Sequence, residues 1–195
     1  MNELLDYFKK NISISAEIEN KLKEIIVERN LVKGELILSD DSLKKEHIFV
    51  ASGCLRSFYK TENAKEHTLQ FAVKNWWISD YMTLYTNEKS IVSIESLTHS
   101  KVLIIHNDKL NELYKEFPDF EVFQRKNFEK RIAALQRRIL NLLAFTAAEK
   151  YNQFVNNYAV FEKVIPNYQI ASFLGITPQS LSRIRKERVK TNLLP

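Results

Sequence analysis

The chain has 195 residues, with 29 basic and 24 acidic side chains, a formal charge of +5 and a pI near 9.1. Apolar residues make up 45% and charged residues 27%, proportions that support a buried core and exclude a wholly disordered chain. Three glycines and four prolines exclude collagen-like and low-complexity readings. No uncharged apolar run approaches the ~20 residues that a membrane-spanning helix needs.

Met1 to Asp6 has no basic patch followed by an apolar stretch, so no secretory signal is expected. The single cysteine, Cys54, can form neither an intrachain disulfide nor a four-cysteine iron–sulfur site. A reducing cytoplasm is the expected compartment, and no cofactor is called for. The mild positive excess permits a nucleic-acid partner without demanding one.

Residues 1 to about 30 place Leu5, Phe8, Ile18, Leu22, Ile25 and Ile26 at helical spacing. From about 31 to 106 the texture changes to short apolar runs between polar turns. These runs are Leu36 to Leu38, Ile48 to Ala51, Leu55 to Tyr59, His67 to Val73, Ile91 to Ile94 and Val102 to Ile105. In the fourth, Leu69, Phe71 and Val73 alternate with Thr68, Gln70 and Ala72, the period of a half-buried strand. Ser52-Gly53 and Glu62-Asn63 supply turns, and such closely spaced strands predict a sandwich or barrel.

Past His106 the helical period returns. Pro118 suits a first helical turn, and the stretch to about Ala144 lacks further proline or glycine, predicting a helix ~40 Å long. Phe128, Ile132, Leu135, Ile139 and Leu142 form an apolar seam on a surface otherwise strongly charged. That seam suits a coiled-coil-like dimer interface. It equally suits a helix packed on its own β-domain. Thr146 and Glu149 have capping-box spacing and open a separate helix ending near Tyr158.

The segment from Asn167 to Lys186 carries the most information. Asn167 caps a short helix with Ile170, Ala171 and Leu174 inward, and Gly175 ends it. Thr177 caps a second helix with Pro178 at its first position. Leu181 and Ile184 point inward, which turns Gln179, Ser182, Arg183 and Lys186 outward at 100° per residue. A small residue at Ala171 lets the helices approach. The outer face offers an amide, a hydroxyl and two cations, groups that read base edges in a major groove. Arg183, Arg185, Lys186, Arg188 and Lys190 stand against the single acid Glu187, a density that suits phosphate binding. A packed αα-hairpin with a solvated charged face is the alternative.

A β-rich half, a long seamed helix and this C-terminal motif, taken together, resemble the Crp/Fnr superfamily of bacterial transcription regulators over nearly the whole chain. Lys33-Gly34-Glu35 is similar to the turn that opens the family's β-roll, and Ser52-Gly53 to a later strand turn. Ile165 to Lys186 matches the DNA-reading motif without a gap. The resemblance implies an α+β chain in three parts. Residues 1–117 hold N-terminal helices and an antiparallel β-roll (double-stranded β-helix) sensor domain. Residues 118–144 form a dimerisation helix, and 145–195 a helix-turn-helix domain. The implied partners are double-stranded DNA, a second copy of the chain joined along Phe128, Ile132, Leu135, Ile139 and Leu142, RNA polymerase, and a small-molecule effector. Gln179 and Arg183 fall where the family reads bases. Thr177, Ser180, Ser182, Lys186, Arg185, Arg188 and Lys190 complete the expected DNA surface.

Departures are equally informative. Where cyclic-nucleotide-binding members carry Gly-Glu and Arg-Ser, this chain has Ser79-Asp80 and Ser90-Ile91. A phosphate would lose its arginine and meet Asp80, with only Lys89 as a point charge, so control by cyclic AMP is not expected. Phe71, Trp77, Asp80, Tyr81, Met82, Lys89 and Ser90 mark the candidate effector pocket, although an aromatic cluster that includes Trp76 also suits a core. Nine residues follow Lys186, too few for the β-hairpin wing of many members.

A cupin-like, metal-dependent or ligand-binding β-roll with a protein-binding C-terminus is the rival. His47, His67, His99 and His106 stand without a His-x-His or His-Glu-x-x-His pattern, and no nucleophile signature appears, so neither a metal site nor an enzyme is expected.

Overall fold

A computed structural model of the chain describes residues 1–159 and 162–191, with the backbone alone at 189–191. Helices α1 (Asn2–Asn11) and α2 (Ala16–Ile25) precede the strands. These are β1 (Ile26–Leu31), β2 (Leu36–Leu38), β3 (Glu46–Ser52), β4 (Cys54–Lys60), β5 (Glu66–Val73), β6 (Trp77–Ile78), β7 (Val92–Ser96) and β8 (Ser100–His106). A short helix, α3 (Tyr81–Thr86), joins β6 to β7. Helices α4 (Asn107–Glu116), α5 (Pro118–Ala144), α6 (Ala147–Tyr158), α7 (Asn167–Leu174) and α8 (Pro178–Thr191) follow.

The strands form two antiparallel sheets, in the orders β1-β8-β3-β6 and β2-β7-β4-β5. Ile48, Val50, Val102 and Ile104 of the first sheet meet Leu55, Ala72, Val92 and Ile94 of the second in a shared interior. The alternate residues of β3 and β8, Phe49, Ala51, Leu103 and Ile105, bury their side chains under α1, α2, α4 and the start of α5. With both faces covered, these strands read as continuous apolar runs rather than alternating ones.

A third cluster joins the roll to the C-terminal helices: Cys54, Phe71 and Leu97 pack with Phe154, Ile170, Leu174 and Leu181. Burial there pushes the Cys54 thiol up to about 12.

The fold departs from the sequence reading in several elements. Ile26 opens β1 opposite Ile105, because the apolar spacing of α2 runs on into the strand. The two-residue β6 and the six-residue α3 leave no mark in the sequence, since neither is long enough to show a period. Strand β5 does not alternate as expected: Ser57 pairs with Gln70 but Phe58 with Thr68, so Leu69 sits in a bulge. Leu69 is therefore exposed while Thr68 is buried, and Phe71 faces the C-terminal helices while Ala72 faces the roll interior. Finally, Asn167 is the first residue of α7 rather than its cap, and its side-chain oxygen accepts a hydrogen bond from Arg185. Helix α5 has the bounds its sequence predicts, and α6 carries the full capping box of Thr146 and Glu149.

Candidate nucleic-acid interface

The C-terminal pair of helices is built from its turn outward. Gly175 holds φ at +65°, a left-handed conformation that glycine adopts without a side-chain clash, and the amide of Ile176 returns to the carbonyl of Ala171 at 3.0 Å. Thr177 Oγ1 then accepts from the amide of Ser180 at 3.1 Å, satisfying a free donor at the start of α8. Leu181 and Ile184 are buried, and Ala171 is fully so, which allows the close approach of α7 and α8.

That inward set leaves the opposite face of α8 in solvent. Gln179, Ser182, Arg183 and Lys186 are all exposed and, with Pro178, line one shallow surface. Arg183 is 76% exposed, and its Nε lies 4.0 Å from Glu187 one turn on, a spacing at which a surface pair contributes little. Thr177 is exposed and Ser180 half-buried at the leading end of the same helix.

Arg185 and Arg188 point elsewhere. Arg185 donates to the Tyr151 phenol at 3.0 Å, to Glu162 at 3.2 Å and to Asn167. Its guanidinium is held inside the domain, a placement different from the phosphate-facing one expected of it. Arg188 lies over the Tyr151 ring at 5.7 Å and is half-buried. The side chain of Lys190 lies outside the described residues.

On α5 the seam is open. Ile132, Leu135 and Ile139 are 59%, 54% and 48% exposed, whereas Phe128 packs edge-on against Tyr81 and Leu142 is half-buried. Leu140 and Leu143, at 62% and 80%, extend the apolar surface beyond the seam that the spacing marked. Between α5, α6 and the edges of β5 and β6 lies a groove of about 1270 Å³. Lys130, Arg131, Arg137, Arg138 and Lys150 line it, and no described carboxylate does.

The residues expected of an effector pocket do not converge. Trp77 and Tyr81 line this groove, and Arg131 bridges them, donating to the Trp77 carbonyl at 3.0 Å and lying 4.9 Å over the Tyr81 ring. Phe71 is buried between the roll and α6–α7, out of reach of a groove ligand. Asp80 caps α3, accepting from the Met82 amide at 3.0 Å and the Thr83 hydroxyl at 2.7 Å. Met82 is exposed, Lys89 pairs with Asp41 at 2.8 Å on the surface, and the Ser90 hydroxyl donates to the Val92 carbonyl at 2.7 Å. His47 lines the groove as well, although its sequence neighbours carry no sign of a site. Burial holds its imidazole below the usual range, with Arg131 acting the same way and a 3.0 Å contact to Asn107 opposing them.

Residues 28–117 match the cyclic nucleotide-binding domain family. Compared by sequence with curated proteins, the chain finds no match. Among solved structures it is similar to FixK2 from Bradyrhizobium japonicum, with a TM-score of 0.75 and 15% identity over 88% of each chain. It is also similar to CLP from Xanthomonas campestris, described as a c-di-GMP responsive global regulator, with a TM-score of 0.71 and 12% identity over 93% of this chain and 95% of that one. A mutant of CooA from Carboxydothermus hydrogenoformans matches with a TM-score of 0.68 and 19% identity over 95% and 84%. Among the described residues, no helix is long and apolar enough to cross a membrane. The chain has the Crp/Fnr fold, with a β-roll of the cyclic nucleotide-binding domain family at residues 28–117.

Proposed function

We propose that this chain is a dimeric, sequence-specific DNA-binding transcription regulator of Crp/Fnr type. The observation that carries the reading is the outer face of α8, where Gln179, Ser182, Arg183 and Lys186 are exposed on a helix locked from behind by Leu181 and Ile184. Arg183 and Gln179 are the base readers, by bidentate bonds to guanine and adenine respectively. Thr177, Ser180, Ser182 and Lys186 hold phosphates or support base reading from the same helix. Lys190 and Arg188 add charge beyond it.

The second copy joins along Phe128, Ile132, Leu135, Ile139 and Leu142. The exposure of three of these in the single chain supports this role, because an apolar stripe flanked by charge is unfavourable unless covered. Each protomer then presents α8 to one half of a near-palindromic site. RNA polymerase is the further partner of such a regulator, and the cytoplasm its compartment. No catalytic role is assigned.

Control by cyclic AMP is not part of the reading. Asp80 stands where the nucleotide phosphate would meet a carboxylate, and Lys89 is already paired with Asp41. The groove beside α5, whose five cations and described acid-free lining suit an anion, is the entry site for an effector. Titrating binding to mixed-sequence duplex DNA against salt tests the function. The affinity falls steeply with rising salt, with a slope that counts the phosphates neutralised. Binding that ignores salt contradicts the reading.

A further inference from the structure

The helix-turn-helix is connected to α5 through Phe145 and Thr146 alone, the two residues between α5 and α6. Polar contacts bridge that link, Asn141 to Gln153 and Lys150 to the Leu142 carbonyl at 2.9 Å, so α6 is set against α5 while the direction of α7 and α8 depends on further contacts. Apolar packing of Phe71 against Phe154 and Phe173 supplies adhesion, but such contacts are non-directional. Further directional contacts come from a small set of polar ties along the open edge of β5.

Among the described residues β5 is the last strand of its sheet, and its outer backbone groups lack a strand partner there. Ser172 on α7 takes that place: its hydroxyl accepts from the Thr68 amide at 2.9 Å and donates to the Glu66 carbonyl at 3.0 Å. Arg138, near the end of α5, continues the edge. It donates to the carbonyls of Leu69 and Thr68 on β5 and, at 3.4 Å, to the carbonyl of Phe173 at the end of α7. Its guanidinium also lies 4.2 Å over the Phe173 ring. One fork thus ties the long helix, the sheet edge and the first helix of the motif together. Both carbonyls belong to the bulged stretch of β5, where the ladder shifts register.

We propose that Ser172 and Arg138 are positioning residues that latch the helix-turn-helix to the edge of β5 and so set the spacing between the two DNA-reading helices of the dimer. The inference rests on the DNA-binding reading above. A rigid latch on each protomer makes the dimer accept one separation of half-sites. One base pair more or less shifts a half-site along the DNA and rotates it by about a tenth of a turn, which a fixed α8 cannot follow.

The test compares the full-length protein with Ser172→Ala and Arg138→Lys on duplexes selected by the wild type, with the spacer lengthened or shortened by one base pair. Ser172→Ala removes one oxygen and keeps the fold. Lysine keeps the charge of Arg138 but not its planar fork, so a role resting on charge alone is rescued and the latch is not. Amide exchange at Thr68 is followed in parallel, without DNA.

The expected result is an unchanged half-site sequence, spacing discrimination reduced about tenfold or more, and Thr68 exchange faster by about tenfold or more with the β3 and β8 core amides unaltered. A wild type that selects a site while both variants keep its spacing discrimination overturns the latch. A wild type that selects no DNA sequence overturns the DNA-binding reading instead. In that case an unchanged Thr68 exchange rate in Ser172→Ala overturns the latch as well.

Discussion

Arg185 and Tyr151 are bound to each other across the C-terminal domain, the guanidinium donating to the phenol at 3.0 Å while Tyr151 donates in turn to Glu162. A cation that the sequence places beside DNA is thus spent on holding α8 against α6. Arg185→Ala is expected to lower the melting temperature, since it removes the ion pair with Glu162 and the hydrogen bonds to Tyr151 and Asn167 that hold α8 in the domain, at a cost of about 1–3 kcal/mol. The salt slope of DNA binding stays as it was. Arg183→Ala does the reverse: melting is unchanged, while DNA affinity falls by about 1–3 kcal/mol and preference relaxes at one base pair. Equal loss on every sequence from Arg183→Ala would remove it as a base reader.

Leu135 is 54% exposed in the single chain, so a charge there costs the protomer little. In a seam it would be buried against an apolar surface without a partner. Leu135→Glu is expected to sediment as a monomer with an unaltered melting profile at low concentration. A dimer of normal strength would show that another surface joins the copies.

Gly53 and Gly175 both have positive φ, yet alanine is expected to act very differently at the two positions. A Cβ at Gly53 would lie 2.6 Å from the Ser100 Cβ and 2.8 Å from the His99 carbonyl, where β8 begins. At Gly175 the nearest atom is 3.4 Å away, on Leu142. Gly175→Ala therefore costs only the left-handed conformation, about 1 kcal/mol, whereas Gly53→Ala adds a clash and costs about 3 kcal/mol or more. Paired melting curves decide it, and a Gly53→Ala protein as stable as Gly175→Ala would contradict the tight turn.

His47 gives the fold a dependence on acid. Its folded pKa is depressed by burial, while the unfolded residue titrates near 6.5. Between the two values the unfolded chain binds the proton that the folded chain refuses. Stability is therefore complete above about pH 6.5 and falls as the pH drops below it. His47→Gln is expected to flatten that part of a stability–pH curve. An unchanged curve would show that His47 is protonated in the fold without cost.

Much of this was legible in the sequence because the signals were local and periodic. The bounds of α5 follow from Pro118 and the 4-3 spacing, and the C-terminal motif from Gly175, Thr177 and Pro178, each with its own backbone reason. What was hidden depended on distant partners. Nothing around Leu69 announces a bulge, because the bulge is set by the register with β4. Phe71 looked like a pocket residue because the sequence cannot say which face of β5 the C-terminal helices cover. Arg138 and Arg185 resemble ordinary surface cations, and only the packing of α7 against β5 and of α8 against α6 draws them inward.

The most direct test of the central claim is selection of duplexes from a random DNA pool by the purified protein without added ligand. The account predicts enrichment of a two-fold symmetric site whose half-site centres lie about 34 Å apart, one helical turn of DNA. Recovery of unrelated sequences, both from the protein alone and with cell extract added to supply an effector, would contradict it.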